Sequence, residues 1–171
     1  LKIYKNVRCI IACTEFFVLQ SSNFQRQGNL YSSYKAHSTY NVLIAVAPND
    51  AIMYVSNVFE WFISDKEIVL KSGFLKYLNP GDVVMANRCF NIKNISNEIQ
   101  VEFVIPPFLR DRNVFTAQEK ALTKDVTKYQ IHVEWATLRV KSFHLLHKTI
   151  PLSLKPIITQ IVYVICCLVN F

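Results

Sequence analysis

Gly81-Asp82-Val83-Val84-Met85-Ala86-Asn87-Arg88-Cys89-Phe90 is the stretch on which the fold assignment rests. Its centre is an apolar run entered through Asn79-Pro80-Gly81-Asp82, a turn-forming sequence, and left through polar Asn87-Arg88. A short apolar run bounded by such signals predicts a buried strand, here Val83 to Ala86. Cys9-Ile10-Ile11-Ala12-Cys13-Thr14-Glu15 has the same form, with its strand expected over Val7 to Cys13. Val101 to Ile105 is a third such run, stopped by Pro106-Pro107.

Working outward, Tyr40 to Ala47 and Ala51 to Phe59 are rich in β-formers, and Pro48-Asn49-Asp50 between them predicts a hairpin. The segment Ser21 to His37 is polar and reads as a loop. Ser64 and Glu67 form a capping-box pattern that opens a helix expected to run to about Leu78. Thr116 and Glu119 repeat the pattern ahead of a long, basic helical segment. Pro151 is expected to open a last helix, since proline fits the first turn. Its apolar end, Ile157 to Phe171, is shorter than the roughly 20 residues of a membrane span and carries Thr159 and Gln160. We read it as a buried helix, with a membrane anchor as the alternative. Strand, hairpin, helix, strand, strand, helix, helix implies one domain with a core of about residues 7–171: a mixed α/β sheet flanked by helices.

Composition narrows the chemistry. The 171 residues are 51% hydrophobic and 13% aromatic, the make-up of a globular chain with a core. Three glycines exclude a glycine-rich phosphate loop. Five cysteines without a CxxC pair fit neither a disulfide framework nor a structural zinc site, and read as reduced intracellular residues. A net charge of +7 favours a polyanionic partner, nucleic acid or an anionic membrane surface. The chain opens on Leu1 rather than Met, as a fragment of a longer frame would.

Cys13-Thr14-Glu15, Tyr31-Ser32-Ser33-Tyr34-Lys35, Ser64-Asp65-Lys66-Glu67-Ile68, the stretch from Gly81 to Arg88, Ile105-Pro106-Pro107-Phe108-Leu109 and His132-Val133-Glu134 follow one another in order along nearly the whole chain. At these motifs the chain resembles the DDE-superfamily endonucleases, the transposase-derived nucleases that include the Harbinger-like and related eukaryotic elements. The resemblance implies a ribonuclease H-like fold, Mg²⁺ or Mn²⁺ as cofactor, DNA as substrate and a nuclear location. It also implies strand-borne Asp at positions 12 and 87 and a helix-borne Glu at 134. Two-metal nucleases hold a pair of divalent ions about 4 Å apart, and hard ions such as Mg²⁺ require carboxylate oxygens.

The chain departs from that pattern where chemistry needs it. Position 12 is Ala, and position 87 is Asn, which offers one neutral carbonyl oxygen. Cys89 stands where the family has Gly, and Trp135 where it has Arg. Neighbours are poor substitutes. Glu15 is three residues from Ala12 on a strand, so alternation sends it to the other face. Asp82 begins the strand that Asn87 ends, about 16 Å away when extended. The expectation is a degenerate nuclease domain, with a domesticated, non-catalytic DNA- or protein-binding module as the alternative. Lys35, Arg88, Arg110, Arg112, His132, Arg139 and Lys141 are the candidate phosphate contacts; scattered surface charge is the competing reading for the arginines and lysines, and a hydrogen-bonded structural role for His132. A separate DNA-binding protein, or a lost N-terminal region, would supply target choice. A homo-oligomer is possible, and a membrane partner is not expected.

Overall fold

The computed structural model describes residues 7–19, 31–32, 37–60, 62–87, 89–90, 92, 98–107 and 114–171. Seven strands among them form one mixed sheet. β1 (Val7–Val18) lies at its centre, antiparallel to β3 (His37–Val46) and parallel to β6 (Val83–Ala86). β7 (Glu102–Val104) extends the sheet beyond β6 in parallel. β2 (Tyr31–Ser32), β4 (Ile52–Val55) and β5 (Phe59–Glu60) all pair antiparallel with β3. Helices cover both faces, so this is the α/β, ribonuclease H-like arrangement that the sequence implied.

Alternation along β1 divides the core in two. Ile10, Phe16 and Val18 point to one face, with Val42, Ile44 and Met85. There they meet α2 (Ala117–Ser142) through Val126, Val133, Ala136 and Val140, and α4 (Ile158–Val169) through Ile158, Val162 and Ile165. Cys9 and Ile11 point to the other face, where they pack with Leu43, Val84 and Phe90 against Ile68 and Val69 of α1 (Asp65–Lys71). β6 is buried on all four residues, as expected of a parallel strand covered on both faces. The short helix α3 (His144–His147) then returns the chain to β1, where Ile150 bridges Val18 and donates its N–H to the Phe17 carbonyl at 2.8 Å.

Both capping boxes form. Ser64 Oγ accepts from the Glu67 N–H and Thr116 Oγ1 from the Glu119 N–H, with the glutamates bonding back. The hairpin forms too, with Asp50 in the left-handed region at φ 69°. Four boundaries differ from expectation. β1 continues past Cys13 to Val18, because Thr14, Phe16 and Val18 prolong the buried alternation. The β-run expected over Ala51 to Phe59 splits into β4 and β5. α1 stops at Lys71 instead of Leu78, since Gly73 takes φ 81° and the chain restarts as a 3-10 turn, Phe74–Tyr77. Pro151 opens a 3-10 turn, Leu152–Leu154, and α4 begins only after Pro156. Of the loop expected over Ser21 to His37, residues 21–30 and 33–36 lie outside the described residues, while Tyr31–Ser32 and His37 belong to strands. No described helix is long and apolar enough to cross a membrane.

Candidate functional site

Ala12, Asn87 and Glu134 line one cavity of about 630 Å³. Its floor is the middle of β1, Ile11 to Glu15; one side is Asn87, just past the end of β6; the roof is α2. The parallel pairing of β1 with β6 in register Ile11↔Ala86 brings Ala12 and Asn87 level. The roof is one face of α2: Gln130, Glu134, Thr137 and Lys141 recur at spacings of three and four, the helical repeat. Val133 is buried on the adjoining flank and seats that face over the sheet.

The lining is mostly neutral, and the acidic residues do not converge. Ala12 carries no donor. Asn87 Oδ1 already accepts the Cys89 N–H at 3.2 Å, the side-chain arm of a local turn that also holds the Phe90 N–H on the Asn87 carbonyl at 3.3 Å. Glu134 is exposed on the helix. Glu15 reaches the cavity rim, but strand alternation places it with Cys13 and Asp65, on the α1 side of the sheet. There burial raises the Asp65 carboxyl above its ordinary range, opposed by the hydrogen bond from the Cys13 thiol and reinforced by the Glu15 charge. The thiol is itself pushed far up by burial and by Asp65, so it is no nucleophile. Asp82 pairs with Arg8 at 3.9 Å and holds the Asn79 N–H at 2.9 Å, before β6 rather than after it. Among the described residues no group of three or more His, Cys, Asp or Glu side chains is arranged to hold a metal ion. Among the described residues the set does not fit a pair of Mg²⁺ or Mn²⁺ ions: positions 12, 87 and 134 offer one methyl group, one occupied amide and one carboxylate, and the second carboxylate of the lining, Glu15, lies at the rim on the α1 side of the sheet.

The sequence candidates for phosphate contact separate. Lys141 lies on the cavity wall, its Nζ 5.8 Å from the centre of the Phe16 ring. His132 Nδ1 stands 2.7 Å from Asp50 Oδ1, the hydrogen-bonded structural role. Arg139 donates to the Asp50 carbonyl at 2.9 Å and to the Val169 carbonyl at 3.5 Å. His132 and Arg139 thus clamp the β3–β4 turn onto the helix that carries Glu134. Lys35, Arg88, Arg110 and Arg112 lie outside the described residues. Gln130, Thr137 and Thr14 are polar residues of the cavity to which the sequence assigned no role. Gln130 and Thr137 were detectable as Glu134−4 and Glu134+3 on one helix face. Thr14 was not: it is 5% exposed, and its Oγ1 has no hydrogen-bond partner among the described residues.

Residues 11–170 match the family described as DDE superfamily endonuclease. No curated protein and no solved structure matches the chain.

Proposed function

We propose that this chain, which belongs to the DDE superfamily endonucleases, is a transposase-derived nuclease domain that keeps the fold and the DNA partner of its family and has lost the metal-dependent step. The single observation behind this reading is the cavity that gathers Ala12, Asn87 and Glu134. It lies where the middle of β1, the end of β6 and a long helix meet, the kind of place where carboxylates from separate segments of a chain can share an ion. Glu134 is the only residue of the three with a charge. One carboxylate leaves the repulsion between two dications at about 4 Å almost uncompensated.

The Harbinger-like branch is the subtype we favour, on the order of the motifs from Cys13-Thr14-Glu15 to His132-Val133-Glu134. DNA as ligand accounts for the +7 charge, and a nuclear location follows from DNA as ligand. Binding to phosphates by counterion release would weaken steeply as salt rises. Lys141 is the described residue of the cavity best placed to meet a phosphate.

The test is nicking of supercoiled DNA in Mg²⁺ and in Mn²⁺. The unaltered chain leaves the plasmid supercoiled, and so do Ala12→Asp and Asn87→Asp singly, because each still lacks one carboxylate. The double variant recovers ion binding, and recovers nicking when Trp135→Arg and Cys89→Gly are added. Nicking by the unaltered chain that disappears in Glu134→Gln would overturn the reading.

A further inference from the structure

The solvent side of α2 carries a pattern that the cavity shares only through Leu138. Lys120, Lys124 and Lys128 are exposed and recur every four residues, so their charges form a row spaced about 6 Å apart along the axis. Lys128 lies 3.7 Å from Asp125; Lys120 and Lys124 have no ion pair among the described residues. The same face continues through Ile131, Trp135 and Leu138, at steps of three, four and three. These apolar side chains are 40%, 57% and 64% exposed, opposite the buried Val126, Val133, Ala136 and Val140. A tryptophan this open on a helix surface gains little from the fold, since its ring leaves most of its apolar area in water. Beside it is a hollow of about 360 Å³ walled by Trp135, Leu138, Arg139 and Asp50. Arg139 is held there by its bond to the Asp50 carbonyl, which fixes the wall.

We propose that this face binds a single strand of DNA, with phosphates along Lys120, Lys124 and Lys128 and an unpaired base stacked on Trp135 in the hollow. The inference rests on the reading that DNA is the ligand of this domain, and it adds the form of the DNA and the surface. Charge complementarity selects a polyanion over a second copy of this basic chain. The indole selects an unpaired strand over a duplex, because a base within a duplex is already stacked on both faces, whereas a free base offers its π-face to an exposed aromatic ring. The row and the indole are about 10 Å apart along the helix, so one short strand reaches both.

Fluorescence anisotropy with a labelled oligothymidine and with a labelled duplex tests this. Trp135→Ala is expected to weaken the single strand by about 5- to 150-fold, the effect of one stacked base, with the duplex little changed. Trp135→Phe, which keeps a ring, retains most of the affinity. Lys120→Gln, Lys124→Gln and Lys128→Gln together are expected to lower the slope of log affinity against log salt by about 2 for the single strand. In a Trp61→Phe background, Trp135 fluorescence should quench when oligothymidine is added. Unchanged single-strand affinity in Trp135→Ala, or equal weakening of strand and duplex, would each overturn the proposal. Absence of binding to either DNA by the unaltered chain would instead remove the reading on which it rests. Salt-sensitive duplex binding beside a silent Trp135 would remove this inference alone.

Discussion

His132→Ala and Arg139→Ala separate structural clamping from contact with DNA. Each contact converges on Asp50, one on its carboxylate and one on its carbonyl. The His132 and Asp50 side chains are 29% and 40% exposed, so water screens the pair and its loss costs about 1 kcal/mol. Arg139 is exposed and loses one good hydrogen bond at 2.9 Å and one long one at 3.5 Å, again about 1 kcal/mol. For a chain of this length the double variant should therefore melt about 4–8 °C lower. The two effects should not add cleanly, because both substitutions release the same turn, and a double-mutant cycle measures that coupling. Urea unfolding followed by circular dichroism gives the stabilities, and DNA anisotropy is read on the same variants. His132→Ala is expected to destabilise and to leave DNA affinity within about twofold, well under the tenfold that 1.4 kcal/mol represents. A tenfold loss of DNA affinity in His132→Ala at unchanged stability would refute the clamp and restore His132 as a phosphate contact.

Two further outcomes follow from polar groups elsewhere. Burial raises the Asp65 carboxyl, so the native state binds its proton more tightly than the unfolded chain does. Its ionised form costs native stability, a cost absent below about pH 3.9 and growing as the pH rises through the raised value. Asp65→Asn should gain stability over the unaltered chain at neutral pH, and the gain should vanish in acid; a gain independent of pH would contradict this. Asn170 bonds both backbone groups of Ile52, accepting from its N–H at 2.8 Å and donating to its carbonyl at 2.9 Å, as a neighbouring strand would. Asn170→Ala should cost about 1–2 kcal/mol and speed hydrogen exchange at the Ile52 amide; unchanged exchange there would show that the contact does not hold α4 to the sheet edge.

Local signals carried much of the fold into the sequence. Ser64 with Glu67 and Thr116 with Glu119 marked two helix starts, because a capping box is complete within four residues. Pro48-Asn49-Asp50 marked the hairpin for the same reason. Errors arose where one residue was weighed without its neighbours. The strand expected over Val7 to Cys13 was ended at the polar residues that follow Cys13, although Thr14, Phe16 and Val18 continue its buried alternation. The helix expected to run to about Leu78 ran through Gly73, whose left-handed backbone ends α1 early. Pro156 delays α4 because the chain has already left the 3-10 turn at Leu154. The motif order grouped Ala12, Asn87 and Glu134, and these three residues line one cavity. The His132–Asp50 contact was not, since it joins residues 82 apart, and no sequence window spans it. The orphaned Thr14 hydroxyl was equally hidden, because its isolation depends on which side chains of α2 lie above it.

Calorimetric titration of Mn²⁺ into the unaltered chain and into the Ala12→Asp, Asn87→Asp double variant tests the loss of the metal site most directly. No measurable binding is expected to the unaltered chain and saturable binding to the double variant, because only the latter carries carboxylates at all three of positions 12, 87 and 134. At a hundredfold excess over its dissociation constant, the ion should then stabilise the double variant by about 2.7 kcal/mol. Saturable Mn²⁺ binding to the unaltered chain, abolished by Glu134→Gln, would contradict it.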